Sequence, residues 1–450
     1  METNVYIETM GCQMNVADSE RAATNLYNAG YAISDSSQSA DVIIFNTCSV
    51  RARAAEKVFA RIRDVRRFRN ERKPIIGVMG CVAQLEGENL LEDSTTIDFV
   101  VGTGALERIP SIVKEVLEGK EKVFDLSEKV GSETPTVSAS FRHSPYVAFV
   151  PIIEGCNKFC TYCIVPYSRG REKSRTAAEI IEEVKRLHEQ CFREVHLIGQ
   201  NVNSYRPNTN IGLEVVTGAT PFSRLLRAVA ATGIERIKFT TSFPRDFHTD
   251  IVSAIDENEN LCNWVHLPVQ TGSNRVLRAM RRGYKVEDYM KRVDAIKNAR
   301  RRIALTSDII VGFPGETVKE FRETIDLVKY CRYDSLYIFK YSERPGTPAA
   351  NLEDNISEQE KTDRFLELES IQKGIQRSVL EEYVGGELQV LVEGVSAKKS
   401  LDMTGHSTCH KVVNFPGDSS LAGKEVRVRI TEAKVNSLYG TMVKGERSLR

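Results

Sequence analysis

Three cysteines stand close together in the segment G-C-N-K-F-C-T-Y-C, at Cys156, Cys160 and Cys163. Thiolates at this spacing can bind a metal ion or an iron–sulfur cluster from a single loop. Three ligands are one short of the set that a structural zinc ion requires, whereas a cluster held by three thiolates keeps one iron open to a substrate. The alternative is a zinc ion completed by a distant fourth ligand. The spacing favours the cluster.

A second group of cysteines, Cys12, Cys48 and Cys81, is spread over the first part of the chain. Each follows a short apolar run and precedes a helical stretch, and the intervals of 36 and 33 residues match about one strand–helix unit. Because parallel strands end at one edge of a sheet, the thiolates are expected to meet at the edge where open α/β sheets bind ligands. The alternative is three separate core cysteines, since cysteine is often buried. The equivalent positions favour a second three-cysteine site.

The elements that would position these cysteines predict an α/β fold. Residues 1–125 form one predicted domain, in which uniformly apolar strands alternate with helices and indicate a parallel sheet covered on both faces. Its strands are expected at 5–7, 42–45, 75–79 and 99–102, and its helices at 16–30, 51–70, 84–92 and 106–118. The polar segment 126–144 is expected to be a linker.

Residues 145–382 form the second predicted domain, in which the alternation continues. Candidate strands lie at 147–153, 194–198, 236–241, 264–269, 304–311 and 335–341, and a charged helix at 357–382 closes the domain. Six strand–helix units in succession favour a (β/α)6 partial barrel over an open sheet. The cysteine loop 156–163 follows the first strand, at the end where barrel enzymes place their active sites.

Residues 383–450 form a third predicted domain without helical periodicity. Strands are expected at 387–392, 410–415 and 425–430, which indicates a small closed β-barrel of the kind that often binds oligonucleotides. Ten Lys and Arg against seven Asp and Glu make the domain locally basic. The stretches 51–73 and 275–302 are also basic, and on helices they would form either phosphate-binding faces or ordinary solvated surfaces.

The whole chain of 450 residues is nearly neutral, with 62 Lys and Arg against 61 Asp and Glu, which excludes a histone-like polyelectrolyte. No run of about 18 apolar residues predicts a transmembrane helix, and the N-terminus lacks the pattern of a signal peptide. A cytoplasmic protein without a membrane partner is expected, with reduced cysteines. The cysteines without partner spacing are interpreted as core or surface residues: Cys191, Cys262, Cys331 and Cys409.

The C-x3-C-x2-C loop, with an aromatic residue before its last cysteine, resembles the radical S-adenosylmethionine superfamily. Together with the strand-end cysteines and the small barrel, it resembles the methylthiotransferase family over essentially the whole chain. The resemblance implies two 4Fe–4S clusters. One, on Cys156, Cys160 and Cys163, would bind S-adenosylmethionine through its open iron. The other, on the strand-end cysteines, would supply sulfur, and the C-terminal barrel would be an RNA-binding TRAM domain.

Finer motifs resemble the MiaB branch of that family: I-E-T-M-G-C-Q-M-N at 7–15, N-T-C-S-V-R at 46–51 and Y-S-E-R-P-G-T-P-A-A at 341–350. This implies methylthiolation of C2 of N6-dimethylallyladenosine at position 37 of tRNA. The alternatives are another tRNA adenosine or ribosomal protein S12, whose branches have C-K-x-N or C-P-K-N where this chain has Cys12 followed by Gln13-Met14-Asn15. A non-enzymatic RNA-binding or electron-transfer protein is a third hypothesis. His406 stands where the TRAM pattern has arginine.

The resemblance also implies contacts to S-adenosylmethionine at the strand ends, although ordinary turn geometry would explain the same residues. No acid–base catalyst is assigned. The cofactor-binding candidates are Tyr162, Gly199, Gln200, Gln270, Ser273, Asp308 and Gly312. The implied partners are a tRNA anticodon stem-loop, an electron donor such as flavodoxin or ferredoxin, and a sulfur or cluster-assembly donor.

Overall fold

A computed structural model describes residues 3–49, 52–67, 74–92, 96–128 and 136–443. The first sheet has six parallel strands in the order β2-β1-β3-β4-β5-β6. These strands are β1 (Asn4–Met10), β2 (Ala32–Ile33), β3 (Val42–Thr47), β4 (Ile75–Gly80), β5 (Phe99–Val101) and β6 (Val123–Asp125). The helices between them are α1 (Gln13–Asn28), α2 (Ala52–Arg67), α3 (Cys81–Glu86), α4 (Asn89–Glu92) and α5 (Ile109–Leu117).

The sheet is parallel because its strands are apolar on both faces. Along β3, Ile44 packs into one core with Leu26 of α1, while Phe45 packs into the opposite core with Val58 of α2. The helix predicted over 84–92 is instead two helices separated at Gly87, whose φ of +51° interrupts the helical backbone. Parts of the predicted helix 51–70 and linker 126–144 lie outside the described residues, and the described part of the linker contains one 3-10 turn at Ala139–Phe141.

The central domain contains six parallel strands in two sheets of three, ordered β11-β10-β7 and β12-β13-β14. Its strands are β7 (Val147–Pro151), β8 (Ile153–Glu154), β9 (Lys173–Ser174), β10 (Glu194–Ile198), β11 (Arg236–Phe239), β12 (Trp264–His266), β13 (Ala304–Val311) and β14 (Ser335–Lys340). Its helices are α6 (Val165–Arg169), α7 (Ala177–Glu189), α8 (Pro221–Ala230), α9 (Thr249–Glu257), α10 (Asn274–Ala279), α11 (Val286–Lys297), α12 (Val318–Cys331) and α13 (Glu358–Glu381). A parallel bridge between Ile237 and Leu261 links the two sheets. In the described chain no strand pairs with the outer side of β14, so the barrel is open there.

The C-terminal domain is a closed five-stranded barrel in the order β15-β16-β17-β19-β18. Its strands are β15 (Glu387–Val395), β16 (Asp402–Ser407), β17 (Val412–Pro416), β18 (Glu425–Ala433) and β19 (Leu438–Met442). The predicted α/β class with a terminal small barrel is confirmed. His410, expected in a strand, lies in the preceding turn with a φ of +58°.

The three parts pack tightly against one another. Trp264 and Ala304, which begin β12 and β13, share a core with the inner side chains of the C-terminal barrel. The buried Arg236 donates hydrogen bonds to the backbone carbonyls of His406 and Ser407 at 3.0 and 2.9 Å. On the other side, Met14 of α1 packs in a cluster with the barrel residues Phe149 and Ile198. In the described part of the chain, no helix is both long and apolar enough to span a membrane.

Candidate active site

The cysteine loop follows β8 and is held by donors from distant segments. Gly155 opens the loop with a φ of +77°, and an added Cβ would stand 2.2 Å from the carbonyl oxygen of Arg171. Asn201 donates to Cys156 Sγ at 3.0 Å, and Arg282 donates to Cys160 Sγ at 3.4 Å. N–H groups that donate to a cysteine sulfur stabilise its thiolate form, which is the form that binds metal. Burial, together with a smaller effect of neighbouring Cys160, raises the pKa of the Cys163 thiol to about 12.

Arg282 belongs to the basic stretch 275–302, yet it is buried beneath the cysteine loop. Its guanidinium donates to Pro268 O at 2.7 Å and to the Tyr162 hydroxyl at 3.4 Å, and it lies 4.4 Å from the centre of the Phe243 ring. Arg301 of the same stretch also donates to buried backbone carbonyls. These two arginines therefore support the domain from inside rather than forming the phosphate-binding face that the charge run allowed.

The other three cysteines lie at the carboxyl ends of adjacent strands. In the sheet, Met10 is paired with Thr47 and Thr47 with Gly80, so Cys12, Cys48 and Cys81 follow at nearly one level. Cys12 is exposed, whereas the other two are buried. A hydrogen bond from the Cys48 side chain, aided by the charge of Arg169, lowers the pKa of Cys12 to about 6. The predicted convergence of the strand ends is what the structure shows; the cysteines' role as ligands stays a prediction.

Two buried asparagines fix this strand edge, and sequence reasoning gave them no role. Asn15 Oδ1 accepts hydrogen bonds from the backbone N–H and the thiol of Cys12, both at 3.2 Å. Its Nδ2 donates to Asn46 Oδ1 at 2.9 Å and to Thr47 O at 3.1 Å. The network ties the turn after β1 to the end of β3, so Cys12 and Cys48 are held side by side. The signal was available, because Asn46 interrupts an otherwise apolar strand.

The two cysteine sets face a common region. Arg169 ends α6, just beyond the cysteine loop, and pairs at 2.6 Å with Asp18 of α1. The Arg344 guanidinium, whose pKa is lowered by burial, interacts electrostatically with both Cys48 and Cys163. Side chains of the central domain therefore reach the edge of the first sheet at which the strand-end cysteines lie.

The ion pair between Asp18 and Arg169 predicts a stability effect, because both side chains are less than one-tenth exposed. Replacing Asp18 with leucine leaves the guanidinium buried without its partner, and we expect a loss of about 3–5 kcal/mol of unfolding free energy in urea denaturation. Adding Arg169→Met should recover much of that loss, since neither charge is then buried alone. A double variant less stable than D18L would contradict this account.

Several buried oxygens at the ends of β10 and β11, where a cofactor contact is predicted, have no hydrogen-bond partner among the described residues. Gly199 follows β10, where a Cβ would lie 2.4 Å from Ile153 Cγ2, so only glycine fits without displacement. The next residue, Gln200, has a buried Oε1 without a hydrogen-bond partner among the described residues. The hydroxyl oxygens of Thr240 and Ser242, after β11, are likewise buried and unpartnered there. Sequence reasoning missed these two hydroxyls, which have no motif around them.

Of the remaining predicted residues, Gln270, Ser273 and Gly312 follow barrel strands, whereas Asp308 lies within β13. Gln270 has a φ of +79° and bridges to Ile309, and the Ser273 hydroxyl already donates to Glu320 at 3.2 Å. Asp308 Oδ2 lies 3.5 Å from His266 Nε2. Gly312 has a φ of +72°, and its N–H donates to Glu316 at 2.7 Å. These placements leave their cofactor contacts as predictions.

The donor set fits a cluster better than a single ion. Among the residues that the structure describes, no three His, Cys, Asp or Glu side chains converge tightly enough to hold one metal ion. Thiolates that bind separate irons of a cluster stand further apart than the ligands of one ion. With hydrogen bonds to the sulfurs of Cys156 and Cys160 and unpaired oxygens at the neighbouring strand ends, the site suits an iron–sulfur cluster with a polar ligand beside it.

Three family models match the chain. Residues 150–328 match the Radical SAM superfamily, residues 4–102 match Uncharacterized protein family UPF0004, and residues 381–443 match the TRAM domain. The chain is 42% identical over 440 residues to a tRNA-2-methylthio-N(6)-dimethylallyladenosine synthase of Solibacter usitatus, covering 97% of both proteins. It is 41% identical over 446 residues to the synthase of that name from Carboxydothermus hydrogenoformans, covering 98% of this chain and 100% of the relative.

Solved structures share the fold at low sequence identity. The radical S-adenosylmethionine methyltransferase TsrM from Kitasatospora setae, with cobalamin and a 4Fe–4S cluster bound, aligns with a TM-score of 0.58 and 14% identity. The alignment covers 78% of this chain and 77% of TsrM. The cobalamin-dependent S-adenosylmethionine radical enzyme OxsB aligns with a TM-score of 0.52, covering 83% of this chain and 56% of OxsB.

Proposed function

Because the chain belongs to the tRNA-2-methylthio-N(6)-dimethylallyladenosine synthase family, we propose that it methylthiolates C2 of N6-dimethylallyladenosine at position 37 of tRNA. The observation that carries the proposal is similarity over nearly the full length, joined to two cysteine sets that face one region. The protein is a radical S-adenosylmethionine methylthiotransferase, and its superfamily uses a 4Fe–4S cluster with S-adenosylmethionine.

The cluster that binds S-adenosylmethionine is proposed to be held by Cys156, Cys160 and Cys163. Bound there, the cluster and S-adenosylmethionine supply radical chemistry that can react with the C2–H bond of adenine, which ordinary side chains cannot activate. The residues of this chain position and protect the group. Asn201 and Arg282 donate hydrogen bonds toward two of the sulfurs, and both of these cysteines, Cys156 and Cys160, are buried from water.

A second 4Fe–4S cluster on Cys12, Cys48 and Cys81 is proposed to supply the sulfur. The support is their shared edge of the sheet, the hydrogen bond between the Cys12 and Cys48 side chains, and the exposure of Cys12. Asn15 holds the Cys12 turn in place. A sulfur or cluster-assembly donor would restore this site between turnovers.

S-adenosylmethionine is proposed to lie along the carboxyl ends of the barrel strands. The buried Gln200 Oε1 is suited to accept a hydrogen bond from the ammonium group of S-adenosylmethionine, and the absence of a side chain at Gly199 lets this strand end pack closely against Ile153. The other proposed contacts are Tyr162, Gln270, Ser273, Asp308 and Gly312.

Gln200→Leu separates a cofactor role from a structural one. Its buried oxygen has no hydrogen-bond partner in the part of the chain that the structure describes, so its removal should leave the thermal midpoint unchanged or higher. Affinity for S-adenosylmethionine should fall about 10-fold, because a hydrogen bond to a charged group contributes about 1.5–3 kcal/mol. Isothermal titration of cluster-loaded protein measures the affinity. Gln372→Leu, which removes a similar oxygen on α13, should bind S-adenosylmethionine normally, and normal binding by Gln200→Leu would contradict the assignment.

The proposed partners follow from the same reaction. The TRAM domain indicates RNA binding, and we propose the tRNA anticodon stem-loop, whose single-stranded base can be splayed into the barrel. A reductant is required, and flavodoxin or ferredoxin is the proposed donor. The cytoplasm, where tRNA and these donors occur together, is the proposed location.

Nucleoside mass spectrometry of tRNA tests the function directly. A host that lacks its own methylthiotransferase but makes N6-dimethylallyladenosine should accumulate 2-methylthio-N6-dimethylallyladenosine when this chain is expressed. Its absence in cells that contain the iron-loaded protein would contradict the proposed substrate. Another tRNA adenosine and ribosomal protein S12 would be assayed in the same extracts.

A further inference from the structure

The edge strand of the central barrel exposes two large aromatic side chains. Tyr337 and Phe339 of β14 are 54% and 45% exposed, although both lie within a parallel strand. The neighbouring strand β13 is almost entirely buried, as are β10, β11 and β12. Parallel strands are normally covered on both faces, so exposed aromatic rings at alternate positions indicate a surface that is completed by something else.

Both rings lie on the face of β14 that looks into the barrel. Tyr337 is paired in register with Asp308, and its ring contacts that of His266 at a centroid distance of 6.0 Å. His266 is buried in the interior, where it stacks on Trp264. Since side chains two residues apart on a strand share a face, Phe339 looks the same way. The open edge of the barrel is therefore lined by two exposed aromatic rings.

The two rings form a path toward the cysteine loop. Phe339 is paired in register with Ile310, and Ile310 packs in one apolar cluster with Tyr162 of that loop. Tyr337 lies one step further from the strand ends, at the level of Asp308. The two rings therefore extend from the level of the cysteine loop into the interior of the central barrel.

We propose that Tyr337 and Phe339 form a stacking platform that holds the substrate nucleotide and its dimethylallyl group beside the cysteine loop. The inference rests on the proposed function and names positioning residues for it. Aromatic side chains bind splayed single-stranded bases through the π-face that every base has. An apolar N6 substituent adds surface that an exposed phenyl ring can cover.

The polar surroundings favour an RNA base over a protein segment. Asp308 presents a carboxylate at the level of Tyr337, where the edge of a stacked base needs hydrogen-bonding groups, and His266 Nε2 lies 3.5 Å from its Oδ2. Arg344, in the loop that follows β14, adds a positive charge beyond the end of that strand. The C-terminal barrel, which matches the TRAM domain, packs on the amino ends of β12 and β13 through Trp264 and Ala304.

Binding of an anticodon stem-loop by cluster-loaded protein tests the proposal without turnover. Tyr337→Leu and Phe339→Leu keep apolar volume but remove the π-face, and each should raise the Kd of the N6-dimethylallyl stem-loop about 10-fold in fluorescence anisotropy. Tyr337→Phe keeps the ring and should bind like the wild type. Affinity for S-adenosylmethionine, measured in parallel, should not change in any of the three.

Phe124→Leu is the matched control, because Phe124 is 45% exposed on β6, the edge strand of the first sheet. Wild-type RNA affinity in both leucine variants of the platform would overturn the proposal, as would loss of S-adenosylmethionine affinity in place of RNA affinity. If a leucine variant fails to fold, Phe339→Tyr and Tyr337→Phe must still bind RNA, and failure of both would also overturn it. Wild-type protein that makes no methylthiolated product contradicts the proposed function, whereas an active wild type with unaffected variants contradicts the platform alone.

Discussion

Replacing Cys160 with alanine should abolish both the cleavage of S-adenosylmethionine and the formation of methylthiolated tRNA. The residue is one of the three thiols that the cysteine loop offers, and a cluster with three protein ligands loses one of them in this variant. Cys156→Ala and Cys163→Ala should behave alike, since each removes one of the same three ligands. Chromatography of 5′-deoxyadenosine and methionine under reducing conditions measures the cleavage, and nucleoside analysis measures the product.

Cys191→Ala provides the comparison for these variants. Cys191 lies just beyond α7 and is exposed, and neither cysteine set includes it. The variant should retain iron content, cleavage and product formation. Ordinary cleavage by any of the three loop variants would show that the loop does not hold the cluster that binds S-adenosylmethionine.

Replacing Cys12, Cys48 or Cys81 with alanine should separate the two halves of the reaction. Cleavage of S-adenosylmethionine should continue, because the cysteine loop and the barrel strand ends remain intact. Methylthiolation should stop, and the iron content should fall to about half, as expected when one of two 4Fe–4S clusters is lost. Iron analysis, cleavage and nucleoside assays on one preparation make the comparison.

The outcome that contradicts this division of labour is an equal loss of cleavage in the second set. Such a result would mean that the strand-end cysteines support the cysteine loop rather than supply sulfur. Arg169 and Arg344 provide a physical route for that influence, since both lie close to strand-end thiols and belong to the central domain. If these variants kept the absorbance of the loop cluster but lost cleavage of S-adenosylmethionine, the loss would be traced to the contact between the first domain and the central domain.

Two strands of the central domain were predictable although each contains polar residues. The strands at 194–198 and 304–311 were predicted with the bounds that the structure has, because both are continuous runs buried on two faces. β2 and β6 were missed because they contain only two and three residues. β16 and β19 were missed because polar residues and the glycines Gly405 and Gly440 weaken the strand pattern.

The cysteines of the candidate site were predictable because chemistry and spacing coincide in the sequence. Their supporting residues were not, because each is brought in by the fold from a distant segment. Arg282 reaches Cys160 across 122 positions of sequence, and Arg169 reaches Asp18 across 151. Nothing in the charge run 275–302 distinguishes Arg282 from its surface neighbours. The exposure of Tyr337 was equally hidden, since only the open edge of the barrel leaves that ring uncovered.

The attachment of the C-terminal barrel has a consequence for how RNA is selected. Arg236 donates hydrogen bonds to two backbone carbonyls of this barrel, and Trp264 is part of its core. The barrel is therefore attached rigidly to the central domain. In the proposed function, an RNA gripped there meets the strand ends at a set distance, as an intramolecular event with a high effective concentration. The fixed distance between the C-terminal barrel and the strand ends then selects RNA stem-loops by their length. Stem-loops whose length places the reactive base at the strand ends of the central domain are modified, and stem-loops that are too short or too long are released.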